Sequence, residues 1–324
     1  MGGALLRRFA QGALVVLVVV ATCFTLIRLA PGDPFFRALD DASVPAEVRA
    51  EQLARFGYDR PIPEQFARYL TAIIRGDLGW SHSRGEPVRT AIAAALPATL
   101  LLVAAAGLLA FGTGVSLGAW SGWHAERPLA RGIDHGAMLL LSIPDYLWAL
   151  LAVMGPALAW GVFPVAGTHT EFGPSGVLGL LDRAHHLVLP VLALALPIAA
   201  VVTRLQHAAM REVRAAAFIR TARANGVSEH RIRWRHALRN ALVPVLSYGG
   251  VQLAAALSGV VVIERIFAWP GMGQLAVQSI QARDFMVVQA IVLLVSVAYV
   301  LMNFVADILY GVIDPRIRLR GGAR

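Results

Sequence analysis

The 324-residue sequence contains no lysine, so all 29 of its basic residues are arginines. That absence excludes nucleotide binding by a P-loop, whose Gly-x-x-x-x-Gly-Lys-Ser/Thr run needs an ammonium at the phosphates. A single cysteine, Cys23, excludes an internal disulfide and a thiolate metal cluster. Charge of either sign is scarce, at 15% of residues against 57% apolar. The balance is too apolar for an ordinary water-soluble domain and suits a chain whose solvent is lipid. The alternating ten-residue segments of a membrane barrel are missing as well.

What is present is a series of uncharged runs. A helix rises about 1.5 Å per residue and a bilayer core is about 30 Å thick, so about 20 residues cross it. Runs of this kind stand at 9–27, 97–121, 136–160, 187–203, 241–263 and 285–306. The first follows Arg7 and Arg8 as a signal peptide would, but it is long enough to span and no small-residue cleavage site follows it. It reads as a retained helix. The fourth is short and draws on His186 or Arg204 at its ends by snorkelling. The third holds one acid, Asp145, beside Pro144, which marks a kink. An acid inside the membrane is costly, and Asp145 is therefore a candidate pathway-lining residue.

Arginine placement orients the spans. Arg7 and Arg8, Arg127 and Arg131, nine arginines between Arg204 and Arg239, and Arg316, Arg318, Arg320 and Arg324 all fall on one side if six helices alternate. The other side receives 31–95, 161–186 and 264–284, and segment 31–95 is nearly neutral. Both termini are thus expected in the cytoplasm. The basic excess is topological and calls for no nucleic acid.

Residues 204–240 form the longest cytoplasmic connection. Ala215, Phe218, Ile219 and Ala222 recur at helical spacing and make one apolar face, with Arg214, Arg220 and Arg223 largely off it. Asn225-Gly226 is a helix stop. Ser228 can cap a following helix, with Glu229 in its first turn. Taken alone, these residues fit a basic surface loop, a helix lying on anionic lipid, or a contact element for another protein.

The order of further short runs narrows this. Phe24-Thr25-Leu26-Ile27-Arg28-Leu29-Ala30-Pro31-Gly32-Asp33-Pro34, Arg75-Gly76-Asp77-Leu78-Gly79 and Leu96-Pro97-Ala98-Thr99-Leu100 come first. Ser142-Ile143-Pro144, Arg235-His236-Ala237-Leu238-Arg239-Asn240, Ile266-Phe267-Ala268-Trp269-Pro270-Gly271-Met272-Gly273, Ala282-Arg283-Asp284-Phe285 and Asp314-Pro315-Arg316 follow. Together with Arg220-Thr221-Ala222 placed ahead of Gly226, they resemble the permeases of ABC importers over almost the whole chain. The likeness is to the oligopeptide/dipeptide and nickel branch, first permease subunit type, where Arg-Thr-Ala replaces the family's Glu-Ala-Ala triplet. Many relatives carry Leu-Pro where this chain has Leu238-Arg239, with Pro244 further on.

The resemblance implies an all-α membrane protein with the six-helix type I ABC importer permease fold. Residues 1–30 would form a cytoplasmic stub and first helix, 31–95 an extracytoplasmic insert, 96–310 the permease core and 311–324 a basic tail. It implies a permease, not an enzyme, in the bacterial inner membrane, forming half of a pathway for di- or oligopeptides. Nickel, glutathione or another small solute is the alternative cargo. Partners would be a second homologous permease, two ATPases carrying ATP and Mg, and an extracytoplasmic binding protein. Phe218, Ile219, Arg220, Thr221, Ala222, Arg223 and Gly226 would be the ATPase-coupling residues, their apolar face entering a groove on the ATPase and Arg220 and Arg223 meeting acids there. No cofactor is expected on this chain.

Other polar residues carry weaker expectations. His185 and His186 are adjacent and do not share a helix face, which argues against a metal pair. Glu264 and Arg265 read as a surface pair. Trp80, Trp123, Trp160 and Trp269 read as an interfacial aromatic belt. An ion-driven transporter would carry several ionisable residues in its spans, and a membrane enzyme a convergent catalytic cluster; neither is seen.

Overall fold

The computed structural model describes residues 2–29, 60–81, 83–170 and 173–313. Two compact units divide them, one built on Ala98–Gly273 and the other on Leu6–Pro97 with Gln274–Val300. In chain order the elements are α1 (Gly2–Leu29), α2 (Ile62–Ile74), a hairpin of β1 (Trp80–Ser81) and β2 (Glu86–Pro87), α3 (Val88–Trp123), α4 (Pro128–Leu141) and α5 (Asp145–Ala152). A π-helical stretch, Val153–Ala159, continues α5. There follow α6 (Gly176–Ala215), α7 (Ala217–Ala224), the single turn α8 (Glu229–Arg231) running through a π-helical stretch at Ile232–Ala237 into α9 (Leu238–Ile266), then α10 (Met272–Gln281) and α11 (Phe285–Ile313).

Among the described residues, α1, α3, α6 and α11 are each long and apolar enough to cross a membrane. The third expected span, 136–160, is not one straight helix. Ser142-Ile143-Pro144 breaks it, and α4 and α5 meet at 96°, as one broken span or a re-entrant loop. Pro144 supplies the cause, because it disfavours helical backbone at the residue before it. The short fourth span also differs from expectation. α6 is 40 residues long, about 60 Å, and runs through both Pro190 and Pro197. The fifth expected span falls within α9, 29 residues long.

In the larger unit α3 and α6 are drawn together by a row of glycines. A Cβ on Gly118 would stand 2.4 Å from Thr203 O, and one on Gly122 2.4 Å from His207 O. One on Gly114 would stand 2.7 Å from the Val202 side chain. Spacing of four puts all three on one face of α3, and small residues at such spacing let membrane helices approach backbone to backbone. The core beside them includes Leu102, Ala106, Ile198, Val202, Val245 and Phe267.

The same unit holds a buried carboxylate. Glu264, expected at the surface, is fully buried while Arg265 is exposed. Glu264 accepts from Thr99 Oγ1 at 2.5 Å and from Gly273 N at 2.6 Å, and Thr99 Oγ1 accepts from Met272 N at 2.7 Å. The carboxylate therefore caps the start of α10, where backbone donors are unsatisfied and the helix dipole favours negative charge. Trp269 and Trp123 are buried too, and Trp269 Nε1 donates to Ala98 O at 3.0 Å. Of the expected aromatic belt, Trp80 and Trp160 are exposed.

In the smaller unit the described part of the insert packs on its own neighbours. Phe24 of α1 meets Phe66 edge-on and Tyr69 in a stack, with ring centres 5.0 and 5.7 Å away. Asp284, in the Ala282–Phe285 run, accepts from Ser81 Oγ at 2.6 Å and Ser83 Oγ at 2.7 Å, which ties the hairpin to the start of α11. Pro45 and the 30–34 stretch beyond α1 lie outside the described residues.

Candidate functional site

The candidate site is built from α7. Its parent helix α6 stops at Ala215, and Ala216 takes an extended backbone as the N-cap of α7. α7 ends as the Asn225-Gly226 pair foretells. Gly226 has φ of +74°, Val227 N donates to Ala222 O at 3.1 Å, and Gly226 N donates to Arg223 O at 3.0 Å. Those two bonds define a Schellman stop, whose left-handed residue is glycine because a Cβ there costs about 1–2 kcal/mol. Ser228 then occupies the N-cap of α8 without a side-chain cap bond, and Glu229 lies in its first turn.

The apolar face expected to turn outward is divided. Ile219 is fully buried among Trp123, Met210, Ile232 and Ala237, with Ala222 and Val227 packed beside it. These contacts belong to the chain's own core, which leaves Ile219 no exposed surface, while Ala222 stays half-buried. Ala215 belongs to α6. Phe218, 44% exposed, stays outside with Arg220 and Thr221.

Arg223, exposed on α7, also has partners within the chain. Its Nη2 donates to Glu229 Oε2 at 3.2 Å, and its guanidinium lies 5.7 Å from the centre of the Trp123 ring. The Arg223 hydrogen bond holds the Glu229 carboxyl below its ordinary value, and Glu229 in return raises the Arg223 guanidinium. Arg223 clamps the turn internally, while Arg220 has no ion-pair partner among the described residues. At the root of α7, Arg214 Nη1 donates to Trp123 O at 2.8 Å and pairs with Glu126 at 3.0 Å. That bond holds the Glu126 carboxyl below its usual range. None of this internal anchoring was visible from spacing alone, because it depends on where α3 ends beside α6.

Asp145 lies elsewhere. It is exposed in the first turn of α5, directly after the break at Pro144. A carboxylate there is favoured by the helix dipole, which removes the need to place it deep within a straight span. His186 is buried in α6 with its Nδ1 2.9 Å from Asp182 O, and His185 Nε2 is 2.9 Å from Val162 O. Among the described residues no group of three or more His, Cys, Asp or Glu side chains could hold a metal ion.

Comparison with known proteins agrees over both parts of the chain. The family described as "Binding-protein-dependent transport system inner membrane component" matches residues 114–319. Its N-terminal companion, "Binding-prot-dependent transport system membrane comp, N-term", matches residues 1–103. The chain is 36% identical over 324 residues to the oligopeptide transport system permease protein AppB of Bacillus subtilis, covering 98% of this chain and 99% of that one. It is 38% identical over 321 residues to the di/tripeptide transport system permease protein DppB of Pseudomonas aeruginosa, covering 93% and 94%. The dipeptide transport system permease protein DppB of Escherichia coli is 32% identical, covering 91% of this chain and 92% of its own length. Among solved structures, the inward-facing MetNI methionine ABC transporter superposes with a TM-score of 0.56 at 17% identity, covering 69% of this chain and 96% of the matched one. That likeness shows the fold.

Proposed function

Because the chain belongs to the family of binding-protein-dependent transport inner-membrane components, a permease family of ABC importers, we propose that its cargo is di- or oligopeptides and that α7 is its coupling helix. The names of its relatives support the cargo. On this reading the chain forms half of the pathway with a second homologous permease. Two ATPases bind ATP and Mg beneath it, and an extracytoplasmic binding protein delivers the peptide. Both termini lie in the cytoplasm. Asp145, exposed at the break before α5, lines the pathway, and an Asp145→Asn change alters uptake rate or substrate range; unchanged transport would return it to a structural role.

One observation carries the coupling assignment. α7 is stopped by Gly226, seated on the chain's core through Ile219, and exposed along Phe218, Arg220 and Thr221. The roles of the seven expected residues then divide. Phe218, Arg220 and Thr221 meet the ATPase, and Ile219, Ala222, Arg223 and Gly226 hold the helix rigid. A push on the exposed face passes through Ile219 into Met210 of α6 and Ile232 ahead of α9.

The test uses the reconstituted importer. Phe218→Ala and Gly226→Val, each inserted at normal levels, lose peptide uptake and binding-protein-stimulated ATP hydrolysis. Normal stimulated hydrolysis in both variants would overturn the coupling role.

A further inference from the structure

A charged cavity of about 490 Å³ lies outside the coupling surface. It sits where α3 and α6 finish, walled by the α3–α4 loop, by α4 and by the last turns of α6. Two carboxylates in it are already engaged, Glu126 by Arg214 at 3.0 Å and Asp134 by Arg204 at 3.7 Å. Two arginines are not. Arg131 of α4 and Arg211 of α6 line the cavity from packed helices. Both are exposed, and neither has an ion-pair partner among the described residues. His135 and His207 stand on the same walls, and His207 Nδ1 is 2.9 Å from Ser121 Oγ.

Arg131 and Arg211 thus face one cavity with no carboxylate within ion-pair distance of either among the described residues, although Arg211 also acts at longer range on Glu126. Guanidinium forks match the oxygens of phosphate in bidentate fashion and are more weakly hydrated than ammonium groups. We propose that this cavity binds a phosphate group between Arg131 and Arg211, supplied by the headgroup of an anionic phospholipid or by free phosphate. The placement rests on the topology given under Proposed function, which puts the ends of α3 and α6 at the cytoplasmic leaflet, where basic pockets between spans meet anionic headgroups. Ala215 lines the cavity and precedes α7 by two residues. An occupant would therefore brace α4 against α6 just above the coupling helix.

The experiment uses the complete importer, delipidated and reconstituted in phosphatidylcholine with or without phosphatidylglycerol, and native mass spectrometry reads the retained phospholipid. The double variant Arg131→Gln/Arg211→Gln loses about 30-fold in phosphatidylglycerol retention, from one headgroup interaction per arginine. Arg131→Lys/Arg211→Lys, which keeps the charge but loses the bidentate fork, recovers part of it and excludes misfolding as the cause. Added inorganic phosphate separates the sources. Displacement of the lipid by phosphate assigns the site to the free ion, and persistence of the lipid assigns it to the headgroup. Arg220→Gln on α7 lowers coupling and leaves retention unchanged, so failure of the coupling reading is visible apart from failure here. Equal retention by wild type and the double glutamine variant, with no phosphate bound by either, would overturn the proposal.

Discussion

Gly271 shows how a single residue type is dictated by a neighbour far from it in character. A Cβ there would stand 2.0 Å from Glu264 Oε1, and one on Gly273 would stand 2.5 Å from Val261 Cα. The glycines of the Trp269–Gly273 run leave room for a buried carboxylate whose loss of partners would cost about 1–3 kcal/mol or more. Gly271→Ala is therefore expected to lower the thermal midpoint of the detergent-solubilised protein. Glu264→Ala lowers it too, and the double variant loses less than the sum, because removing the carboxylate removes the clash. Strict additivity in the midpoints would contradict this. The motif was legible as a motif, but its reason was not. Glu264 and Arg265 are adjacent charges in the sequence, and only the fold turns one inward and the other out.

The Arg223–Glu229 pair carries a pH consequence at the same scale. Glu229 has a folded value below its ordinary 4.5. Its stabilisation is thus fully present above that ordinary value and is lost as pH falls through the depressed one. Protection of α7 against hydrogen exchange is expected to stay constant from pH 8 to about 5 and to fall only under stronger acid. The pair is exposed, so the effect is modest. A loss of protection near pH 6.5 would point to a histidine instead.

At the scale of the element, helices were legible where one solvent acts on one face. α1, α3 and α11 lie close to the apolar runs that announced them, since a long uncharged run in lipid has few alternatives to helix. The α7 stop was legible because Asn-Gly is a local signal. Its burial pattern was not, because Ile219 and Phe218 are equally apolar and their fates depend on Trp123 and Met210. The Gly114, Gly118 and Gly122 row stood in the sequence and announced close approach of α3 to something, without saying that the partner is α6. Gly118→Val is expected to push Thr203 O and Gln206 apart from α3 and to prevent stable insertion or assembly. Gly132→Ala, where nothing lies within 4 Å, serves as the control. Equal yields of the two folded variants in detergent would show that the glycine row is incidental.

For the whole molecule, the missing lysine has a direct consequence. The permease expressed without partners is expected to show no nucleotide hydrolysis, and stimulated hydrolysis appears only when ATPase subunits are co-purified. Activity from the isolated chain would contradict the division of labour. Composition, run length and arginine placement determined by themselves that the chain is a helical membrane protein, and the missing lysine that it has no P-loop of its own, because lipid tolerates so few backbone arrangements and charge so seldom enters it. Tertiary structure alone decided that Glu264 is buried, that the third span breaks at 96°, that Ile219 and Arg223 serve their own chain, and that Arg131 and Arg211 share a cavity. Each of these depends on which surfaces meet across many residues of separation, and that choice is made by packing, which no local pattern encodes.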